Sequence, residues 1–350
     1  VEDVQILSSN LVQNGDFSQI GSEEVSNGNF SQEGSELITN GDFATDTDWT
    51  ITNLTGGTTN ISGGSLNIIT DGAFSSAEQS SGSASIDFSI TNISVKEVGQ
   101  DWDFVSGATV GDDKAIISGD GSVAGLIEQT SVFSSGKTYK ITLDAVINSG
   151  GGLNVKHGIG FADNIGSMIT TGSYTFYYTA PSTKSLVIAR KTGGVAYDST
   201  ITNISVKEVG QDWAITFSDA NNYVEFGDGT ARLKFLNTSP ITTLATSFVM
   251  TAGKKYKLTV DVLTVTSGGI KVDGNGISET FNTPGITTRI INPTLATAIK
   301  FYRSTANVDI TLNSVSVIEI TDDTDLPRIN YEGFSYQDSL GSEEVVNGDF

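Results

Sequence analysis

The chain has 350 residues, a formal charge of −22, 39 glycines and no cysteine. Such acidity excludes nucleic-acid binding, which needs a basic surface to displace counterions, and without thiols neither disulfides nor cysteine chemistry can operate. No apolar run approaches the ~20 residues a spanning helix needs, so no membrane insertion is expected, and the wealth of Ser, Thr, Asn, Val and Ile favours half-buried strands.

Residues 1–43 hold short repeats. Asn14-Gly15-Asp16-Phe17, Asn27-Gly28-Asn29-Phe30 and Asn40-Gly41-Asp42-Phe43 follow one another at 13-residue spacing, each after one or two apolar residues. Asn-Gly is a strong turn signal, so each unit predicts a short strand, a turn and a buried aromatic. The stretch 1–39 itself reads as a linker that joins larger modules or contacts neighbouring subunits. The chain opens on Val1-Glu2-Asp3, which is neither an initiator Met nor a basic leader. It also ends on a further copy of the unit, Asn347-Gly348-Asp349-Phe350. It therefore reads as a segment of a longer polypeptide.

A larger period follows. Thr91-Asn92-Ile93-Ser94-Val95-Lys96-Glu97-Val98 returns as Thr202-Asn203-Ile204-Ser205-Val206-Lys207-Glu208-Val209, and more loosely as Asn313-Ser314-Val315-Ser316-Val317-Ile318-Glu319-Ile320. Ile93, Ile204 and Val315 are 111 residues apart, as are Trp102 and Trp213. Tandem copies of one domain explain this period. Residues 40–99 form a truncated copy, because Trp49 to Ile93 spans 44 positions where the full copies take 102 from Trp to signature. Its missing strands are expected from residues 1–39 or from a partner chain, since an open edge invites uncontrolled association. Residues 100–210 and 211–321 are full copies. In both, a Gly-Lys-x-Tyr segment (Gly136 to Asp144 and Gly253 to Asp261) alternates apolar and polar residues, as a half-buried strand does. Regular short strands with Gly and Asn turns give an all-β fold of tandem β-sandwich (jelly-roll) modules. Residues 322–350 read as an acidic connector and the start of a further module.

An opening Asn-Gly-Asp-Phe followed shortly by Trp (Asn40 to Trp49), a central Gly-Lys-x-Tyr strand and a closing Asn-Ile-Ser-Val-Lys-Glu strand resemble the jelly-roll carbohydrate-binding modules of glycanases. Repeated and eroded copies of such modules also look like the tail-fibre and minor structural proteins of tailed, particularly marine, bacteriophages. The first resemblance implies a sugar-binding face and, often, a structural calcium beside an Asp of the closing strand. This chain has Asn92, Asn203 and Ser314 at that place, which weakens a Ca2+ site because calcium prefers charged oxygens. Asp144 and Asp261 occupy corresponding strand ends and are the candidate metal ligands, with turn capping as the plainer role. No cofactor is certain. All three Trp stand at the module opening, where core packing is the expected role.

Candidate glycan platforms are therefore tyrosines. In Tyr174-Thr175-Phe176-Tyr177-Tyr178 alternation places Tyr177 on the face opposite its aromatic neighbours, so it is expected to be exposed. Tyr197, Tyr223 and Tyr302 complete the set, each able to stack its apolar face on a pyranose. An enzyme is not expected, since the lone His157 has Gly274 at its repeat position and no carboxylate pair recurs beside an aromatic cleft. The sequence thus predicts a structural and adhesive fibre protein of a virion, extracellular, whose modules attach to cell-surface glycans. Neighbouring subunits would form a homo-oligomer, a trimer or a larger symmetric assembly. An accessory region of a secreted polysaccharide-degrading enzyme and a bacterial surface adhesin stand as alternatives.

Overall fold

The computed structural model describes residues 5–52, 57–70, 86–160, 164–216, 221–236 and 241–322. Every regular element among them is a strand, and all the strand pairings are antiparallel. Most of the acidic stretch 322–325, the connector 326–331 and the terminal unit 347–350 lie outside the described residues.

Alternation builds the strands. In Thr138–Ser149 the side chains of Tyr139, Ile141, Leu143 and Ala145 are buried, and Lys140, Thr142 and Asp144 between them are half-buried. Lys255–Ser267 repeats the pattern with Tyr256, Leu258, Val260 and Val262 inside. Apolar residues on one face of each sheet then meet those of a second sheet.

Around Thr138–Ser149 one sheet runs in the order Gly172–Thr179, Thr138–Ser149, Tyr197–Val209, Lys114–Gly119, Ala108–Gly111. The facing sheet runs Asn164–Met168, Leu153–His157, Lys184–Arg190, Leu126–Phe133, Asp103–Val105. Between them lies a core that includes Ile117, Ile127, Phe133, Tyr139, Ile141 and Val155. Around Lys255–Ser267 the same order recurs strand for strand: Gly285–Ile291, Lys255–Ser267, Val308–Asp322, Thr230–Phe235, Asn222–Gly227 in one sheet. Its partner sheet is Ile277–Phe281, Ile270–Gly274, Thr297–Arg303, Thr243–Met250, Trp213–Thr216. The chain is therefore all-β, with tandem sandwiches of one topology.

The opening segment is more than a linker. Gln5–Leu7 pairs with Val308–Asp322, Ile20–Glu23 with Tyr197–Val209, and Glu33–Glu36 with Lys96–Val98. The order is nested: the first unit closes the last sandwich, the second the middle one, the third the truncated copy. Each docks in the same way. Gly15, Gly28 and Gly41 accept a hydrogen bond from the amides of Val315, Ile204 and Ile93, the residues that carry the 111-residue period (2.7, 2.9 and 2.8 Å). Phe17, Phe30 and Phe43 are buried, with ring centroids 5.1, 5.4 and 5.1 Å from Trp213, Trp102 and Trp49. The indole N–H of each Trp donates to the carbonyl of Asn14, Asn27 and Asn40, across 199, 75 and 9 residues of chain.

Each unit opens on an Asn and ends on a Phe with positive φ, between 46° and 60°. For a bulky Phe that region costs of order 1–3 kcal/mol and persists only where the surroundings enforce it. Docking of the ring against Trp is that enforcement. These residues do more than link modules, because a 13-residue unit carries the strand and buried aromatic expected of it, and both find partners on the sandwiches.

The truncated copy gains only one strand this way. Among the described residues it keeps the pair Glu33–Glu36 with Lys96–Val98 and a three-stranded sheet of Gly57–Ile61, Leu66–Thr70 and Ile86–Ile90. Leu37, Ile69, Val95 and Val98 stay exposed there.

Candidate functional site

An open cleft of about 500 Å³ lies where the two full sandwiches meet. One wall is Ser135, Gly136, Thr179 and Pro181 from the first, and the other is Ile215 and Tyr223 from the second. Tyr223 stands on Asn222–Gly227, where alternation buries Val224 and Phe226 and turns Tyr223 outward. Its cross-strand neighbour is Lys234, whose ammonium sits 5.9 Å from the ring centroid. The Ser135 hydroxyl donates to the Pro181 carbonyl at 3.2 Å. A half-exposed aromatic face with small hydroxyls and backbone opposite it is a surface that fits a flat, polyhydroxylated ligand.

Tyr302 is also half-buried, in a shallow hollow of about 80 Å³ with Asp273, Asn275 and Lys300. Its hydroxyl donates to the Asp273 carbonyl, and Lys271 lies 6.0 Å from its ring. Tyr223 and Tyr302 belong to different sheets of one sandwich, so they form no common platform.

The other two tyrosines are placed otherwise than expected. Tyr197 is buried, and its hydroxyl accepts the Gly125 amide at 3.1 Å. A Cβ on Gly107, Gly119 or Gly125 would come within 2.5 to 2.8 Å of that hydroxyl, so the ring fills a slot that only glycines leave open. Tyr177 does leave its own core, as its parity predicts, but the following sandwich covers it. It packs against that sandwich's core, its hydroxyl buried near the Asp228 carboxylate without a hydrogen bond formed. Burial first, and then the nearby carboxylate, hold its phenol well above the usual range. Parity fixes the face of a strand but not what covers it.

Asp144 and Asp261 are held by amides. Asp144 accepts from Asn203 Nδ2 at 2.8 Å and from the Ser173 hydroxyl, which together keep its carboxyl below the usual range. Asp261 accepts from Asn313 Nδ2 at 2.9 Å. The amide thus meets the carboxylate on the closing strand in both full sandwiches. Asn313 does this from one position before Ser314, an offset invisible in the repeat alignment. Among the described residues no three His, Asp or Glu side chains come together in a way that would hold a metal ion.

His157 is fully buried between Phe133 and Tyr178, its Nε2 2.7 Å from the Ser182 carbonyl. Trp102 and Trp213 are core residues, and Trp49 is half-buried. Sequence reasoning missed the cleft itself, because its walls come from two different repeats. The one available signal was Tyr223, already a candidate.

No family model matches this chain, and no curated protein does. Among solved structures it is similar to the N-terminal CBM22-1–CBM22-2 tandem domain of Paenibacillus barcinonensis Xyn10C. That likeness has 11% identity and a TM-score of 0.27, over 63% of this chain and 94% of the other. It is also similar to a fucolectin from the serum of the striped bass Morone saxatilis, with 13% identity and a TM-score of 0.21, over 59% of this chain and 86% of that one. Superpositions this loose decide nothing about function, and the fold rests on the sheets described above.

Proposed function

We propose that this chain is a structural and adhesive protein, its tandem sandwiches forming part of an extracellular fibre that attaches to cell-surface glycans. A phage tail fibre or another virion appendage is the assembly we infer, with several subunits side by side. The observation that carries the reading is Tyr223, an aromatic face held open in a cleft between two sandwiches. A pyranose ring stacks its apolar face on such a phenol and turns its hydroxyls toward Ser135, Thr179 and the exposed backbone at Gly136.

One shallow cleft binds weakly. Presented on several subunits, it gains about 10²–10⁴ in avidity without any new contact. This reading takes the chain as non-catalytic, with His157 a core residue.

The test is binding of the full chain to an array of glycans and bacterial-surface polysaccharides, with and without calcium. Saturable binding that falls at least about tenfold in Tyr223→Ala and persists in Tyr302→Ala is the expected result. Binding indifferent to Tyr223→Ala, or none from a chain shown to be folded, overturns it.

A further inference from the structure

The joint between the two full sandwiches is built from residues that recur where no joint is made. Lys140 lies directly opposite Tyr177 across the pair Thr138–Ser149 and Gly172–Thr179, and both face outward. The Asp228 turn, between Asn222–Gly227 and Thr230–Phe235, seats on them. Lys140 Nζ reaches Asp228 Oδ1 at 2.5 Å, and Tyr177 packs against the core behind that turn.

On the last sandwich the equivalent positions follow from the register. Lys257 of Lys255–Ser267 takes the place of Lys140, and Ile290, directly opposite it on Gly285–Ile291, takes the place of Tyr177. Among the described residues no sandwich covers this pair. Ile290 is 58% exposed and Ile286, four residues away on the same face of the strand, 73%. Lys257 makes no ion pair among the described residues. An apolar pair on the edge strand, beside an ammonium on the next strand that has no ion pair among the described residues, is one half of a joint.

The other half recurs as well. The turn between Ala108–Gly111 and Lys114–Gly119 reads Gly111-Asp112-Asp113-Lys114, the counterpart of Gly227-Asp228-Gly229-Thr230. Asp112 is exposed at its tip. In a chain of charge −22, an acidic turn has few cationic surfaces to meet, and Lys257 between Ile290 and Ile318 is one.

We propose that the face made by Lys257, Ile286 and Ile290 receives a second copy of this chain. That copy seats its Asp112 turn on Lys257 and Ile290 as the Asp228 turn seats on Lys140 and Tyr177. Donor and acceptor patches differ, so the contact is head-to-tail and propagates into a filament unless its rotation closes a ring. The joint inside the chain and the joint between chains are then the same, and the sandwiches form one continuous series. Glycan binding plays no part in the inference, which stands apart from the Tyr223 cleft.

Sedimentation velocity of the full chain over a range of concentrations tests it. Association that rises with concentration is expected, weakened about tenfold or more by Ile290→Asp, Lys257→Asp or Asp112→Lys, with far-ultraviolet circular dichroism unchanged. Mixing Lys257→Asp chains with Asp112→Lys chains restores association, because opposite charges face each other again. Tyr223→Ala leaves it intact, which separates a failure here from a failure of glycan binding. A chain monomeric at every concentration overturns the proposal and leaves the face to some other occupant, such as a following module. Association indifferent to the substitutions, or a mixture that fails to recover, overturns it equally.

Discussion

Phe17→Ala tests the nested closure most directly. Phe17 is 1% exposed and its ring contacts Trp213 and Phe226, at centroid distances of 5.1 and 6.1 Å, in the sandwich farthest along the chain. Removing a buried Phe ring costs about 3–5 kcal/mol when the surroundings cannot collapse. The unit has other anchors: the Val315 amide on the Gly15 carbonyl at 2.7 Å, Asn14 Nδ2 on the Gln211 carbonyl at 2.8 Å, and the Val317 amide on Asn10 Oδ1 at 3.0 Å. Being a surface segment, it can also detach locally, which caps the loss at its own docking free energy. The lower end is therefore expected, about 3 kcal/mol, or roughly 12 °C in Tm for a domain of this size. Hydrogen exchange read by mass spectrometry on the full chain separates the sandwiches. Protection should fall across Lys255–Ser267 and Val308–Asp322, while Thr138–Ser149 and Tyr197–Val209 keep theirs. Phe30→Ala should reverse that pattern. Phe17→Ala that instead loosens the truncated copy, or both full sandwiches equally, would refute the nesting.

Other outcomes follow from the same contacts. In Gly28→Ala the new Cβ would lie 2.0 Å from the Ile204 carbonyl oxygen, so the second unit must lift away at a cost of about 1–3 kcal/mol, read as a red shift of Trp102 emission. Glu36, held down to about 2 above all by the Ser94 hydroxyl and next by the Val95 amide, ties the third unit to the truncated copy. Because its folded value is depressed, this stabilisation is complete above about 4.5 and is lost as pH falls from there toward 2. An acid titration of Trp49 fluorescence should show that loss, and Glu36→Gln should remove its pH dependence. Asn203→Asp sets a second carboxylate against Asp144 in place of the 2.8 Å hydrogen bond. A loss of about 1 kcal/mol is expected in thermal melts, partly recovered by added calcium, which would then have two carboxylates to bridge. Melts unchanged by the substitution would show that the amide contact stabilises nothing.

Much of this architecture was legible in the residues. A 111-residue period dictates like folds, and the strict alternation from Tyr139 to Ala145 and from Tyr256 to Val262 leaves one apolar face for a facing sheet. Asn-Gly-Asp-Phe announces a turn and a buried ring because Asn enters left-handed backbone cheaply, Gly lets another backbone approach closely and a lone Phe must hide. These are local properties, carried by neighbours in the chain. What the local pattern could not carry is which partner each element meets. Three nearly identical units face three similar closing strands, and only the assembled chain decides that Phe17 reaches across to Trp213 while Phe43 stays beside Trp49. Tyr177 and Ile290 share one place in the repeat, yet the first is covered and the second bare, because a further sandwich follows one and none among the described residues follows the other. Tyr197 and Tyr223 look alike as letters. A slot of three glycines encloses the first, and two converging sandwiches leave the second at an open cleft, since burial is a property of everything that packs around a side chain.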